Sequence, residues 1–561
     1  MKVALINHPL TEYGVFDSKR NEPVSIQYLA HYIRKYEYEC DIYDPTFNSL
    51  ADELSFYSFI ANNYDVVGFS IFFPFNPIPI LTRIKKINQN IVTILGGPHA
   101  TLCFKEFIND NNVDYVILGE GEKRLKHLLD VLSDREVADF MPGIVSKNQS
   151  IFDLEYCDSQ KELYEGYPLR GKKDFNLYIP TVISSRGCNS KCTFCSNQYM
   201  GRWRGRGVLD VISEIEYLVK DMGQSYFQFV EPNFLHDVQR SEDIARELLK
   251  RNISVSFDFA ARVDSLNKGY EAIKILKQAG ATRILLGVEN FSDEILKEWK
   301  KGIRLADIKK SIEFLNSINM AFTISLILFH EKLDLPELKF NLKMIEELSL
   351  SECIDKLFNK LIYYPGTLLN PSKEIKQWNF IDSAISNIYD KCEAYESGKK
   401  RIYARLSNGS DRFATYEEVE EFIIQNIHWF NNTKAKDYFF LKYITNEIND
   451  ESADNENIFS EFNERFSTSE NPQKIIFSKS SKIDFLETES GYNTLRNYDM
   501  GLDFLLNDMA AFIYIETLNK SLNDVFLALR NKILINSPEM YYDLLSVIFT
   551  FQKHHMLYAT Y

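Results

Sequence analysis

No stretch of this 561-residue chain is apolar for long enough to cross a bilayer. The longest runs, such as Ala321 to Phe329, reach about half the roughly 20 residues required. Positive charge is short as well: 64 Lys and Arg stand against 79 Asp and Glu, a net −15. A surface that acidic repels phosphate backbones and anionic lipid, which argues against nucleic acid as a partner. Only Arg202-Trp203-Arg204-Gly205-Arg206 concentrates cations; it is too short to reverse the balance and reads as part of a cofactor site. Met1-Lys2-Val3-Ala4-Leu5-Ile6 has one Lys and an apolar run that stops at Asn7, the pattern of a buried first strand and not of a signal peptide. The expectation is a soluble, cytoplasmic protein with no membrane span. Eight cysteines are too few for a disulfide framework, and the cytosol keeps thiols reduced. No internal repeat is visible.

What is present is globular composition, 45% hydrophobic and 25% charged, in a chain long enough for about three domains. Aromatic residues make up 14%, which suits large cores and pockets for flat organic ligands.

Residues 1–140 alternate short apolar runs (Val3–Asn7, Asp41–Tyr43, Val66–Phe72, Ile91–Gly96, Tyr115–Leu118) with helical patterns (Gln27–Tyr36, Ile80–Asn88, Leu125–Ser133). Near-continuous apolar strands between helices predict an α/β fold with a parallel, doubly wound, Rossmann-like sheet. Ligands bind such sheets beyond the strand carboxyl ends. Here those ends lead into Asn7, Ser70, Gly96-Gly97-Pro98-His99-Ala100-Thr101 and Gly119-Glu120-Gly121-Glu122. Residues 141–177 read as a surface linker. Residues 178–368 alternate again. Strands are expected near Thr181–Ser184, Tyr226–Val230, Ser254–Phe259, Arg283–Gly287, Phe322–Leu328 and Asp355–Leu361, and helices at Val208–Lys220, Ser241–Arg251, Gly269–Gln278 and Ala306–Ser317. Six βα units of this kind make a partial (β/α)6 barrel of TIM type, with chemistry at the strand carboxyl ends. Residues 369–561 are acidic, aromatic-rich and mostly helical by pattern, a candidate substrate or lid domain; the polar stretch Glu447–Pro472 reads as a loop.

Three cysteines fall within eight residues: Cys188-Asn189-Ser190-Lys191-Cys192-Thr193-Phe194-Cys195. An iron–sulfur cubane takes four thiolates, so three leave one iron open. That iron can chelate the amino and carboxylate groups of S-adenosylmethionine (SAM). Gly187 permits a tight turn before the first ligand, and Phe194 is placed to lie against the adenine. The alternatives are a zinc site, which would need a fourth Cys or His, and coincidental buried cysteines.

The segment Ser185-Arg186-Gly187-Cys188…Cys192-Thr193-Phe194-Cys195 resembles the radical SAM superfamily, specifically its cobalamin-binding branch, over roughly residues 1–370. The resemblance implies that Cys188, Cys192 and Cys195 hold a [4Fe-4S] cluster and that Phe194, Glu231, Arg262 and Glu289 bind SAM. It is supported by Phe229-Val230-Glu231-Pro232-Asn233-Phe234, Ala261-Arg262-Val263-Asp264, Gly287-Val288-Glu289-Asn290 and Tyr364-Pro365-Gly366-Thr367. Glu231 and Glu289 also admit a plainer reading as barrel-mouth salt bridges. A departure follows the fifth strand, where Leu328-Phe329-His330-Glu331-Lys332-Leu333 replaces the family's Gly-x-Pro-Gly-Glu-Thr turn; His330 is read there as a contact or as an idle loop residue.

For the first domain the resemblance implies cobalamin, held by Ser70, Gly96, Gly97, Pro98, His99, Gly119, Glu120, Gly121 and Glu122. No Asp-x-His-x-x-Gly motif offers a lower-face histidine, and His99 is not expected to be the axial ligand. The implied activity is methylation of an unactivated carbon on a peptide or natural-product substrate, through a 5′-deoxyadenosyl radical and methylcobalamin, with flavodoxin or ferredoxin as electron donor. Two alternatives stay open: rearrangement, cyclisation or oxidation without methyl transfer, and a non-catalytic cobalamin or cluster sensor.

Overall fold

The structure, a computed structural model, describes residues 1–7, 20–44, 53–73, 75–134, 141–147, 166–168, 170, 178–372, 376–407 and 433–446, together with short pieces beyond residue 475. Its first domain runs β1 (Lys2–Asn7), β2 (Arg20–Asn21), α1 (Val24–Arg34), β3 (Glu39–Tyr43), α2 (Glu53–Asn63), β4 (Val66–Ser70), α3 (Ile78–Ile87), β5 (Val92–Gly96), α4 (Gly97–Leu102), α5 (Phe104–Ile108), β6 (Tyr115–Ile117), α6 (Glu122–Leu132) and β7 (Ile144–Ser146). The sheet order is β3-β1-β4-β5-β6-β7. All neighbours are parallel except β7, which runs antiparallel to β6.

The central strands are buried on both faces, as their unbroken apolar sequences require; every residue of β4 is buried. Ile26, Ala30 and Ile33 of α1 and Leu125, Leu128 and Leu129 of α6 cover one face. Phe56 and Ile60 of α2, Leu81 and Ile84 of α3, and Phe104 and Phe107 of α5 cover the other. Helix α2 is absent from the sequence reading because its apolar residues run round much of its circumference, with Phe59 left 43% exposed. The expected linker also starts too early. Residues 144–146 add a strand in which Ile144 and Val145 are buried, so the first sheet extends past residue 140.

The second domain holds β8 (Tyr178–Ile179), β9 (Thr181–Val182), β10 (Ser185–Arg186), β11 (Arg204–Gly205), α7 (Val208–Lys220), β12 (Tyr226–Phe229), α8 (Val238–Lys250), β13 (Ser256–Arg262), α9 (Val263–Leu266), α10 (Tyr270–Gln278), β14 (Ala281–Glu289), α11 (Asp293–Glu298), α12 (Leu305–Ser317), β15 (Ala321–Leu326) and α13 (Leu335–Glu347). Strands β9-β12-β13-β14-β15 form a parallel sheet in chain order, the wall of an open barrel. Asp237 and Asp334 cap α8 and α13, accepting from the Arg240 and Glu337 amides at 3.1 and 2.8 Å. The sixth strand expected at Asp355–Leu361 forms only isolated bridges, Ile324 to Ile354 and Phe329 to Lys360. Asp355 and Lys356 both face solvent there, which breaks the alternation a ladder needs.

The two domains share buried charge. Arg170 donates through Nε to Glu22 at 2.9 Å and through Nη2 to Glu214 of α7 at 2.8 Å. Glu214 also accepts from Arg206 at 2.6 Å, and Arg206 reaches the Tyr28 hydroxyl of α1 at 2.9 Å. The Glu22, Arg170 and Glu214 side chains are fully inaccessible.

Beyond the barrel, α14 (Ser383–Ser407) and α15 (Thr433–Asn446) extend the barrel core through Ile385, Ile388, Tyr395, Phe440 and Leu441; the Tyr395 and Phe440 rings stack at 4.1 Å. Helix is not the whole of this region. β16 (Ile476–Lys479) pairs with β20 (Leu557–Thr560), and β17 (Ile483–Glu487), β18 (Asn493–Asn497) and β19 (Leu502–Leu506) form an antiparallel meander. Glu447–Pro472 and much of 141–177 lie outside the described residues. Among the described residues, no helix is long and apolar enough to cross a membrane.

Candidate active site

The three-cysteine loop leaves β10 at Gly187, whose φ of +81° bends the chain into the first thiol. A Cβ there would stand 2.2 Å from the Arg202 carbonyl oxygen, so only glycine fits. The Cys188 amide donates to the Gly201 carbonyl at 3.1 Å, the Thr193 amide to the Trp299 carbonyl at 2.9 Å, and the Cys195 amide to the Cys192 carbonyl at 3.2 Å. The first two bonds hold the loop against the chain before β11 and the residue that follows α11, and the third closes a turn within it. Gly187→Ala should therefore lower bound iron at least tenfold while leaving far-ultraviolet circular dichroism unchanged; iron at the wild-type level would contradict this reading of the turn.

The sulfurs lie in a shared electrostatic field. Burial pushes the Cys195 thiol up to about 11; Cys192 and Cys188 also oppose its ionisation, while Lys301 favours it. Arg262 Nη1 donates to Cys192 Sγ at 3.0 Å, and its Nε to Asp264 at 2.8 Å. A third donor of Arg262 meets the Lys301 carbonyl. The guanidinium thus touches the cluster loop at Cys192 and is held by Asp264 and the Lys301 carbonyl.

Glu231 follows β12 and is buried. One oxygen accepts from Ser184, while Oε2 is buried and makes no hydrogen bond. Burial pushes its carboxyl up to about 7, against the opposing Ser184 bond and Arg240 charge. An orphaned carboxylate oxygen at a barrel mouth fits an N–H donor such as an amino group. Glu289 differs. It ends β14 at a bulge with φ of +70°, a conformation costly for a non-glycine residue. It accepts from Lys301 Nζ at 2.7 Å and Ser325 Oγ at 3.0 Å, the salt bridge of the plainer reading. Phe194 packs edge-on against Trp299 at 5.4 Å. His330 bonds Glu337 at 3.0 Å and packs edge-on against Trp299 at 5.5 Å, so it is structurally employed.

Above the loop lies a cavity with about 1060 Å³ of empty space. Its floor comes from the carboxyl ends of β4, β5 and β6, and it takes in Ser70, Gly96, Gly97, Pro98, Gly119, Glu120, Gly121 and Glu122. Gly97 has φ of +90°, and a Cβ there would stand 2.8 Å from the Ile71 carbonyl oxygen. The barrel supplies Ile183, Arg186 and Met200 to the same cavity. The bare glycine backbone and apolar walls suit a broad, flat ligand such as a corrin. Glu120 and Glu122 also join the domains. Arg186 donates to Glu122 at 2.7 Å and Arg204 to Glu120 at 2.7 Å, which ties the cavity loop to the cluster loop. The basic cluster is therefore mostly a domain clasp, with Arg206 in the buried charge chain.

His99, expected among the cobalamin contacts, lies outside this cavity. Helix α4 begins at Gly97, so by position 99 the side chain has turned towards α5. It sits edge-on to Phe73 at 5.3 Å and Phe107 at 5.0 Å. Sequence reasoning missed Ser184, Lys301, Trp299 and the tie made by Arg186. Arg186 stands just before the first cysteine, but nothing in the sequence pairs it with Glu122.

Comparison with known proteins agrees with this geometry. Residues 182–338 match the radical SAM superfamily model, and residues 19–129 match the B12 binding domain model. An uncharacterised methyltransferase of Pyrococcus horikoshii is 28% identical over 54% of this chain and 68% of its own length. The anaerobic magnesium-protoporphyrin IX monomethyl ester cyclase of a Synechocystis strain is 24% identical over 43% of this chain; the match spans about half, 51%, of that relative. The solved structure of the cobalamin-dependent SAM radical enzyme OxsB with aqua-cobalamin matches with a TM-score of 0.62 at 18% identity, covering 98% of this chain and 84% of that one, a likeness of fold. With a radical SAM domain and a B12 binding domain in one polypeptide, the chain belongs to the cobalamin-binding branch of the radical SAM superfamily, and its cofactors are the [4Fe-4S] cluster, SAM and cobalamin.

Proposed function

We propose that this radical SAM enzyme is a methyltransferase acting on an unactivated carbon of a peptide or apolar natural product. The observation that carries the reading is the position of the chamber: Ile183, Arg186 and Met200 of the barrel close the glycine-lined cavity of the first domain, and Arg186 runs through Gly187 directly into the three-cysteine loop. When bound, the cluster and SAM supply a hydrogen-abstracting radical, and cobalamin supplies a transferable methyl group.

Cys188, Cys192 and Cys195 would hold the cluster, and Arg262 keeps a positive charge on the Cys192 sulfur. Glu231 would accept an N–H from the SAM amino group on its free oxygen, and Phe194 on Trp299 would give the adenine an apolar wall. Glu289 and Lys301 neutralise each other and so leave little net charge at the mouth. The apolar residues round the cavity, Ile26, Leu29, Phe69 and Ile117 among them, would shield one side of a bound corrin from water. A one-electron donor of flavodoxin or ferredoxin type would dock from outside. The methyltransferase name of the Pyrococcus relative supports transfer, and the cyclase name of the Synechocystis relative supports ring closure as the second reading.

The test is anaerobic reconstitution with iron, sulfide and hydroxocobalamin, then incubation with methyl-labelled SAM, a strong reductant and an extract of apolar metabolites. Methyl transfer gives S-adenosylhomocysteine and 5′-deoxyadenosine together with a labelled product. 5′-Deoxyadenosine with an unlabelled product and no S-adenosylhomocysteine would decide for the second reading.

A further inference from the structure

A second cavity, with about 590 Å³ of empty space, adjoins the first and shares Phe72 and Pro98 with it. His99, Cys103, Tyr364 and the two residues after the last cluster cysteine, Ser196 and Asn197, also line it. His99 is 6% exposed and Cys103 1%. His99 Nδ1 donates to the Phe75 carbonyl at 3.1 Å, which fixes the tautomer and leaves a lone pair on Nε2. That Nε2 is buried and has no hydrogen-bond partner. The flanking rings of Phe73 and Phe107 stand nearly perpendicular to the imidazole, at 79° and 83°, and offer no donor to an in-plane lone pair. A buried acceptor left in this state is unfavourable unless a donor or a cation meets it.

One helical turn further along stands the Cys103 thiol, and beyond it the Glu106 carboxylate. One ligand atom from each of His99, Cys103 and Glu106 lies within 4.8 Å of the other two. Metal–ligand lengths of about 2.0–2.3 Å in a tetrahedron require separations of roughly 3.3–3.8 Å, a difference that side-chain rotation of about 1 Å closes. A backbone carbonyl holding the far nitrogen of a histidine is also the usual support for a metal-ligating imidazole.

We propose that His99, Cys103 and Glu106 form a mononuclear zinc site, separate from the three-cysteine cluster, with its remaining coordination position open to the second cavity. The His-x3-Cys-x2-Glu spacing puts the three side chains on one face of the α4–α5 segment. Mixed nitrogen, sulfur and oxygen donors suit zinc better than magnesium or calcium. Three protein ligands and one open position leave room for a water or an incoming anionic or thiol ligand in a chamber that borders both cofactor sites.

The test loads the full-length protein with zinc chloride, dialyses it and counts metal. One zinc per chain is expected, retained when Cys188, Cys192 and Cys195 are all replaced by alanine. It should fall at least tenfold in His99→Gln and in Cys103→Ser. Glu106→Gln, at an exposed position, keeps the test open should either buried variant fail to fold, and is expected to weaken zinc binding about 10–100-fold. Zinc-edge absorption should show a single sulfur neighbour at about 2.3 Å. A three-sulfur shell, loss of zinc in the triple-cysteine variant, or zinc unchanged in Glu106→Gln and both buried variants would each overturn the site. Iron content and SAM cleavage, measured separately, report on the cluster and leave the two proposals distinguishable.

Discussion

Alanine in place of Cys192 should reduce 5′-deoxyadenosine formation at least about 10²–10³-fold, because replacing even residues that only support a metal ligand costs about 10–100-fold. The thiol removed is the one that accepts the Arg262 guanidinium, so the variant also leaves a buried cation facing an empty corner. Iron and sulfide per chain should fall with activity, and the broad visible absorbance of the cluster should vanish. Cys40→Ala is the matched control: Cys40 is a buried core thiol of the first sheet, distant in sequence from the loop, and its loss should leave iron content untouched. A Cys192→Ala protein with full iron and unaltered SAM cleavage would remove the basis for the cluster assignment.

Glu231→Gln should separate stability from ligand binding. In the free protein, burial holds the carboxyl near 7 against an ordinary value of 4.5. Between those limits the folded state keeps a proton that the unfolded chain gives up. The stabilisation from this group is therefore complete below about pH 4.5 and is lost as pH rises through 7. By pH 8 the fold carries a buried carboxylate at a cost of about 3 kcal/mol. Glutamine removes that cost, and the free variant should be more stable at pH 8 by up to this amount. SAM affinity should move the other way, falling about 10–100-fold with the loss of a charged acceptor. Wild-type affinity should also weaken below pH 7, as the proton takes the carboxylate oxygen that would accept from the SAM amino group, while the variant stays flat. Parallel pH profiles for the two proteins would show that Glu231 does not meet SAM.

The parts legible in the sequence are those set by local chemistry. The Cys-x3-Cys-x2-Cys spacing, the glycine before it and the glycine pairs after β5 and β6 each report a demand satisfied within a few residues, and the structure realises that demand as positive φ at Gly187, Gly97 and Gly119. Apolar runs such as Val66–Ser70 announce buried strands for the same reason. What stays hidden depends on distant partners. Arg186 meets Glu122 across 64 residues, and Arg262 meets Cys192 across 70. His99 resembles a corrin contact because it follows two glycines, yet the helix starting at Gly97 carries it round to the other side. The segment at Asp355–Leu361 has the composition of a strand but not the alternation, and it only bridges its neighbour.

The buried series Glu22, Arg170, Glu214, Arg206 has a consequence for anyone wishing to dissect the protein. Its four charges come from three stretches of chain, and each anion is flanked by a cation from another stretch. A barrel expressed from residue 178 onward would keep Arg206 and Glu214 but lose Arg170, and a first domain ended at residue 147 would strand Glu22. Breaking such a pair costs about 3–5 kcal/mol, a large share of the stability of an ordinary domain. The corrin half and the radical half are thus one folding unit in electrostatic terms, and neither is a natural fragment.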